Sequence, residues 1–395
     1  MSFIYDIPTR TIFGAGKLQT LGDEIKKIPS LSDKKKAIII ISDGKSAKSN
    51  GSLDAVIKQV TDIGLEWVLF DKVNANPLKA IAEEGGNFAR ESGCDFIIAL
   101  GGGSVLDCSK AIGVFATNGG DLWDYVVGGT GKGLPIKNPG LPIVAIPTTA
   151  GTGSETDGGA IISNPETSEK TKVAGPGTIP VLAIVDPELM QTVPARFKAY
   201  QGFDALFHST EGMISKKKNL VSHMIAAEAV LNISRNLART ISDPDDIDAM
   251  SKVAFGSWLS GKQMMTGSCI AAHPLEHSLS AYHSELPHGA GLIMIAEAFY
   301  RHHVESGCSD DAFIEMAKLM GMEDADKPED FMTMLLKLEK DCGVDGLKMS
   351  DYGITPEEFP KMVKHAKDTM PGLFGFDPVE LSDEDCIKIY TEAYK

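Results

Sequence analysis

The stretch DFIIALGGGSVLDCSKAIGVFA, residues 95–116, decides the fold. It opens with a strand-length apolar run free of polar alternation, the pattern of a parallel strand covered on both faces. Gly101, Gly102, Gly103 and Ser104 follow, and the rest has helical periodicity. Strand, glycine turn and helix in that order are half of a βαβ unit. Glycines allow a tight turn and close backbone approach, while a helix N-terminus offers free N–H groups and a partial positive charge to an anion. The stretch therefore reads as a phosphate cradle. It is neither the GxGxxG fingerprint nor a P-loop, which would need GK[ST]. Ser104 and Asp107 also make a capping-box-like pair, so a plainly capped helix is the alternative reading.

Working outward, residues 37–42, 66–70 and 142–146 repeat the buried-strand pattern, and residues 53–63, 77–92 and 104–116 read as crossover helices. After VLAIVDPEL at 181–189, strand signals stop and helical ones continue through 220–237, 244–265, 311–320, 328–340 and 383–394. The expectation is an α/β, Rossmann-like parallel-sheet domain at 1–188 and an all-helical domain at 189–395. A second glycine and hydroxyl cluster, PTTAGTGSE at 147–155, leaves its strand on the carboxyl edge where open parallel sheets bind ligands. Asp43 closes the strand AIIIISD on that edge. A carboxylate there accepts ribose hydroxyls and repels a 2′-phosphate, favouring NAD over NADP; the other reading is a turn-forming Asp before Gly44. Asn76-Pro77 reads as helix initiation.

The second half carries all nine histidines, and four of them, His273, His277, His283 and His288, fall within 16 residues. Asp204 and His208 stand at i and i+4 in a helical segment, so both side chains leave one face. Asp204, His208, His273 and His288 are the right types to hold a divalent metal. One carboxylate with imidazoles favours Fe(II), Zn or a neighbouring first-row ion over Ca or Mg. These residues are expected on helices facing the cleft between the domains.

Composition narrows the partners. A net charge of −16 disfavours nucleic acid and anionic membrane surfaces and leaves a small-molecule substrate. The six cysteines have no CxxC spacing, which fits reduced thiols in a cytoplasm. No stretch reaches the roughly 18 uncharged apolar residues of a membrane span, and the N-terminus lacks a signal-peptide pattern.

GGGSVLDCSKA, IPTTAGTGSE, IVDPEL, FDALFHSTEG and AHPLEHSLSAYHSELPHG, in that order, resemble the motifs of the iron-containing, or group III, alcohol dehydrogenase family in its butanol dehydrogenase-like form. The resemblance runs over essentially the whole chain. It implies a dehydroquinate synthase-like architecture, NAD(H), a divalent metal with Fe(II) ahead of Zn, an alcohol or aldehyde substrate, and a homodimer or larger homo-oligomer. By resemblance the metal ligands are Asp204, His208, His273 and His288, and the histidine near the nicotinamide is His277. Cofactor contacts carry over to Asp43, Asn76, Gly101, Gly102, Gly103, Ser104, Asp107, Thr148, Thr149 and, in the SEKTKVAG hairpin, Lys172. One departure is local. The interval from His277 to His288 is one residue longer than the commonest family spacing and contains His283, which competes with His288 as fourth ligand; the Pro-His-Gly turn favours His288. Cys269, four residues before His273, reads as a small residue beside the site.

With NAD and a divalent metal together, the metal acts as Lewis acid on the alcohol or aldehyde oxygen while hydride moves to or from nicotinamide. His277, one helical turn from His273, suits a proton relay near neutral pH. Two alternatives share parts of this pattern. A glycerol dehydrogenase-like polyol oxidoreductase, or a sugar-acid cyclase using NAD transiently, shares the architecture. The run His273-Pro-Leu-Glu276-His277 matches HxxEH of zinc metallopeptidases, where Glu276 would be essential; in the dehydrogenase reading Glu276 is incidental.

Overall fold

The computed structural model describes every residue except Met1, Ser2, Ile4 and Lys45. The chain divides into two compact units, one of Asp6–Thr149 with Gly153–Thr192, the other of Val193–Lys395 with Met1–Tyr5 and Ala150–Thr152.

In the first unit, six strands form one parallel sheet: β1 (Arg10–Phe13), β2 (Lys36–Ser42), β3 (Glu66–Val73), β4 (Phe96–Gly101), β5 (Ile143–Pro147) and, beyond a hairpin, β8 (Leu182–Val185). Their order is β1-β8-β5-β4-β2-β3. The hairpin pairs β6 (Ala160–Asn164) with β7 (Glu169–Val173) antiparallel. Helices α1 (Leu21–Lys26), α2 (Ser46–Ser49), α3 (Ser52–Asp62), α4 (Lys79–Glu91) and α5 (Gly103–Asn118) complete the unit.

Burial on both sheet faces explains the uninterrupted apolar strands. Ile38, Ile40, Ile97 and Ala99 join one core, and their neighbours Ile39, Ile41, Ile98 and Leu100 join the other. A polar residue at any of these positions would lack a solvated face. From β2 the chain runs outward to β3 and then returns across β2 to β4, so the strand order reverses between β2 and β4. Open α/β sheets bind ligands at that crevice, outside the carboxyl ends of the strands.

Two local expectations are corrected, and one strand is added to those expected. The 181–189 strand is shorter, because Asp186 turns the chain into a 3₁₀ segment by accepting the Glu188 N–H at 3.1 Å. The Ser104–Asp107 capping box is absent: α5 begins at Gly103 with no side-chain cap, and Asp107 bonds elsewhere. Strand β1 lies in RTIF, too short and mixed to show a period.

The second unit is helical: α6 (Ala195–Ile214), α7 (Leu220–Ser242), α8 (Ile247–Thr266), α9 (Ala272–Tyr282), α10 (His288–Ser306), α11 (Asp310–Met320), α12 (Glu329–Asp341), α13 (Phe359–Thr369), α14 (Pro371–Phe376) and α15 (Asp383–Ala393). Helix α6 is its centre. Every residue from Gly202 to Ile214 is buried, polar ones included, so this helix shows no amphipathic stripe. No described helix is long and apolar enough to cross a membrane.

Candidate metal centre and strand-end loops

Asp204 and His208 lie one turn apart on α6, and both are buried. Helix α9 brings His273, and α10 opens on His288. Pro274 sits in the first turn of α9, where its missing N–H costs nothing. The helix is held by the Tyr390 hydroxyl donating to the Leu275 carbonyl at 2.6 Å and by Ser278 donating to Met362 O at 2.7 Å. At the start of α10, a Cβ on Gly289 would come 2.1 Å from the Tyr200 carbonyl oxygen, so only glycine lets His288 approach α6 this closely.

These elements converge on one atom. Oδ1 of Asp204 is 3.5 Å from His208 Nε2, 3.6 Å from His273 Nε2 and 3.4 Å from His288 Nε2. Donor atoms held about 2.1 Å from a tetrahedral ion stand roughly 3.4 Å apart, so this spacing fits a small divalent metal. Asp204 Oδ1 and His273 Nε2 are buried without a hydrogen-bond partner, which in an ion-free site would be costly. Three imidazoles and a carboxylate are donors for Fe(II) or Zn.

The outer nitrogens are held in turn. His273 Nδ1 donates to Glu211 Oε1 at 2.6 Å, while Glu211 Oε2 accepts the Ile270 N–H at 2.8 Å. His288 Nδ1 donates to Glu276 Oε2. The Gly151 carbonyl faces His208. Glu211 and Glu276 fix the tautomers that turn the Nε2 atoms of His273 and His288 inward. Burial alone would raise Asp204, but the neighbouring imidazoles, His208 first, hold it well below the usual carboxylate range. Burial drives His208 down to about 3. Burial also opposes charge on His273 and His288, yet both end raised, His273 by Cys269 and Glu211 and His288 by Glu276 and Asp204. Three buried carboxylates, Asp204, Glu211 and Glu276, thus surround one point, an arrangement a dication balances.

His283 is not part of this group. It ends α9 and its Nε2 meets Glu358 Oε2 at 3.0 Å. His277 lies beside the group, its ring centroid 4.9 Å from that of His288. Glu276, read as incidental, is fully buried and bonded to His288, which also removes it as the water-activating base of a peptidase. Glu211 was missed in the sequence, although its place three residues after His208 puts it on the same helix face. Phe255 and Trp258 stack at 5.6 Å, with Lys262 Nζ 3.9 Å above Trp258, and are only half-buried.

In the first unit the predicted cofactor residues gather at the sheet's carboxyl edge. Asp43 follows β2, is exposed, and accepts from Asn74 Nδ2 at 3.0 Å. Asn76 takes a positive φ of 49° and its Oδ1 accepts from Lys170 Nζ at 3.2 Å, tying the β3 loop to the hairpin. Gly101 pairs with Pro147, so Gly102, Gly103 and Ser104 emerge beside Thr148 and Thr149. The Thr148 N–H donates to Gly101 O at 3.0 Å, and a Cβ on Gly102 would stand 3.0 Å from Thr149. An uncapped helix start and two touching loops make a cradle that a side chain at Gly102 would fill, as a dinucleotide phosphate needs. Lys172 is exposed on β7, its side chain passing over Gly159.

Asp107 faces inward instead. Its Oδ1 accepts from Ser154 Oγ at 2.5 Å and its Oδ2 from the Ile161 N–H at 2.9 Å. Burial pushes it up to about 6, against the pull of Lys110. Lys110 is fully buried, its ammonium donating to Ser154 Oγ at 2.6 Å, Asp157 Oδ1 at 2.9 Å and Gly159 O at 2.7 Å. This network joins the glycine-turn helix to the second loop.

Comparison with known proteins agrees with this geometry. The iron-containing alcohol dehydrogenase model matches residues 8–187, and its C-terminal counterpart matches 198–394. The chain belongs to the iron-containing alcohol dehydrogenase family. It is an oxidoreductase, with the nicotinamide and divalent-metal dependence of that family. It is 30% identical over 398 residues to 1,3-propanediol dehydrogenase of Klebsiella pneumoniae, covering 99% of both chains. It is also 30% identical to NADH-dependent butanol dehydrogenase B of Clostridium acetobutylicum, covering 97% of each. A halo-thermophilic archaeal alcohol dehydrogenase from a Red Sea brine pool superposes with a TM-score of 0.92 at 28% identity, over 100% of this chain and 99% of that one.

Proposed function

We propose that this chain interconverts short primary alcohols or diols and their aldehydes with NAD(H), holding Fe(II), or Zn, through Asp204, His208, His273 and His288. The observation that carries the reading is the convergence of three imidazole Nε2 atoms on Asp204 Oδ1 within 3.6 Å. The segment 1–188 serves as the dinucleotide domain and 189–395 as the metal domain. Asp43, Asn76, Gly101, Gly102, Gly103, Ser104, Thr148, Thr149 and Lys172 meet the cofactor, Asp107 contributing through Ser154.

When bound, the metal supplies a Lewis acid for the substrate oxygen, and the nicotinamide gives or takes the hydride. The chain's own residues do the rest. Glu211 and Glu276 orient two of the imidazoles. Asp43 sets the preference for NAD over NADP through repulsion of a 2′-phosphate. His277 carries the hydroxyl proton between the substrate and solvent. A homodimer or larger homo-oligomer in the cytoplasm, with no nucleic-acid or membrane partner, completes the proposal.

The test is anaerobic purification with elemental analysis, followed by NADH- and NADPH-linked assays across butanal, propanal, lactaldehyde, glycerol and 1,3-propanediol. Iron or zinc near one per chain and NADH oxidation with the aldehydes are expected. A metal-free preparation that stays fully active sinks the ligand reading, and activity confined to glycerol selects the polyol alternative.

A further inference from the structure

We propose that Cys269 is an additional, soft donor of this metal centre, and that its thiolate joins His208 and His273 around a zinc, cobalt or cadmium ion. The inference rests on the metal reading above but concerns a residue outside the four ligands.

Two donor sets meet here. Asp204, His273 and His288 present ligand atoms within 4.8 Å of one another, and so do His208, Cys269 and His273. They share His273, whose Nε2 is buried without a hydrogen-bond partner. The His208 and His273 rings stack at 4.4 Å and 15°, so the set with Cys269 draws on a pair already packed together. Cys269 is buried, and the turn that carries it is fixed. Its next residue, Ile270, donates its N–H to Glu211 at 2.8 Å, and Ala271 donates to the buried Asp377 at 3.3 Å. The sulfur is therefore held beside the imidazoles rather than swinging past them.

Ligand softness separates the sets. A carboxylate with imidazoles serves Fe(II), whereas a thiolate with imidazoles selects zinc and softer ions. On coordination a sulfur–metal bond forms and the thiol proton leaves to solvent; nothing is oxidised or reduced. The chain thus carries its own bias toward retaining zinc once zinc has entered.

The test uses full-length protein stripped of metal and reloaded anaerobically with Co(II). Near one cobalt per chain is expected, with a thiolate-to-cobalt charge-transfer absorption that disappears in both Cys269→Ser and Cys269→Ala while the cobalt content stays the same. X-ray absorption of the zinc form should show one sulfur at about 2.3 Å. Stoichiometric cobalt without that absorption overturns this proposal and leaves the four-ligand centre standing. So does an absorption that survives in both variants, since it then arises at another cysteine. Failure of the unaltered chain to take up cobalt overturns both readings together.

Discussion

The carboxylate of Glu276 accepts the Nδ1 hydrogen of His288, and it has room to do so because the facing position on α10 is Gly291. A Cβ at Gly291 would lie 2.7 Å from Glu276 Cγ. Gly291→Ala should therefore push the carboxylate off His288 without touching any donor atom. Partners of this kind are worth about 10- to 100-fold in metal affinity. Metal titration of the alanine variant should show a loss in that range, matched by Glu276→Gln; unchanged affinity in both would remove Glu276 from the centre.

Asp204 offers the one oxygen common to three imidazoles, so Asp204→Asn should be the more severe change. It removes the charge that balances the ion yet nearly keeps the shape. Elemental analysis should find metal near background, with at least about a tenfold weaker affinity. Full metal content in this variant counts against the whole ligand set.

Asp43 stands exposed at the end of β2 with only Asn74 as its side-chain partner among the hydrogen bonds resolved there. Replacing it with serine removes the repulsion felt by a 2′-phosphate. The ratio of kcat/KM for NADPH to that for NADH should rise about tenfold, equivalent to about 1.4 kcal/mol. An unchanged ratio returns Asp43 to the role of a turn residue.

His277 lies beside His288 but outside the convergence on Asp204. If it relays the proton, His277→Ala lowers kcat by about 10²-fold and removes a limb of the pH profile, while metal content holds. Loss of metal instead would make it a structural neighbour of the ligands.

Far from the site, Glu339 on α12 is buried, and burial followed by Glu297 pushes it up to about 8 from 4.5. Between those pH values the folded chain keeps a proton that the unfolded chain has released, so stability falls as pH rises through the window. Glu339→Gln should raise the melting temperature at pH 8 by roughly 2 °C or more and leave it nearly unchanged at pH 4. An equal shift at both pH values would mean that charge is not the cause.

The parallel sheet was legible because its strands are buried on both faces, and a run such as AIIIIS has no second reading. Strand β1 was not, since Arg10–Phe13 gains its place only by pairing with β8. Asp204 and His208 showed themselves through helical spacing. Glu211 has the same spacing but looks like an ordinary acidic residue until α9 packs on it. His283 and His288 could not be separated by counting residues; the Gly289–Tyr200 approach and the Glu358 partner of His283 separate them in space. Asp107 misled for the opposite reason. Its spacing from Ser104 imitates a cap, but Ser154, 47 residues away, claims the carboxylate.

Lys110 has a consequence for how the first unit acquires its carboxyl edge. A buried ammonium is tolerable only once Ser154, Asp157 and the Gly159 carbonyl surround it, and these lie 44 to 49 residues away along the chain. Neither segment can settle alone: α5 docked without residues 154–159 would strand a charge, and the loop without α5 would leave the buried Asp157 without its cation. The two should order in one cooperative step, so that an assembled glycine-turn edge reports a locally completed fold.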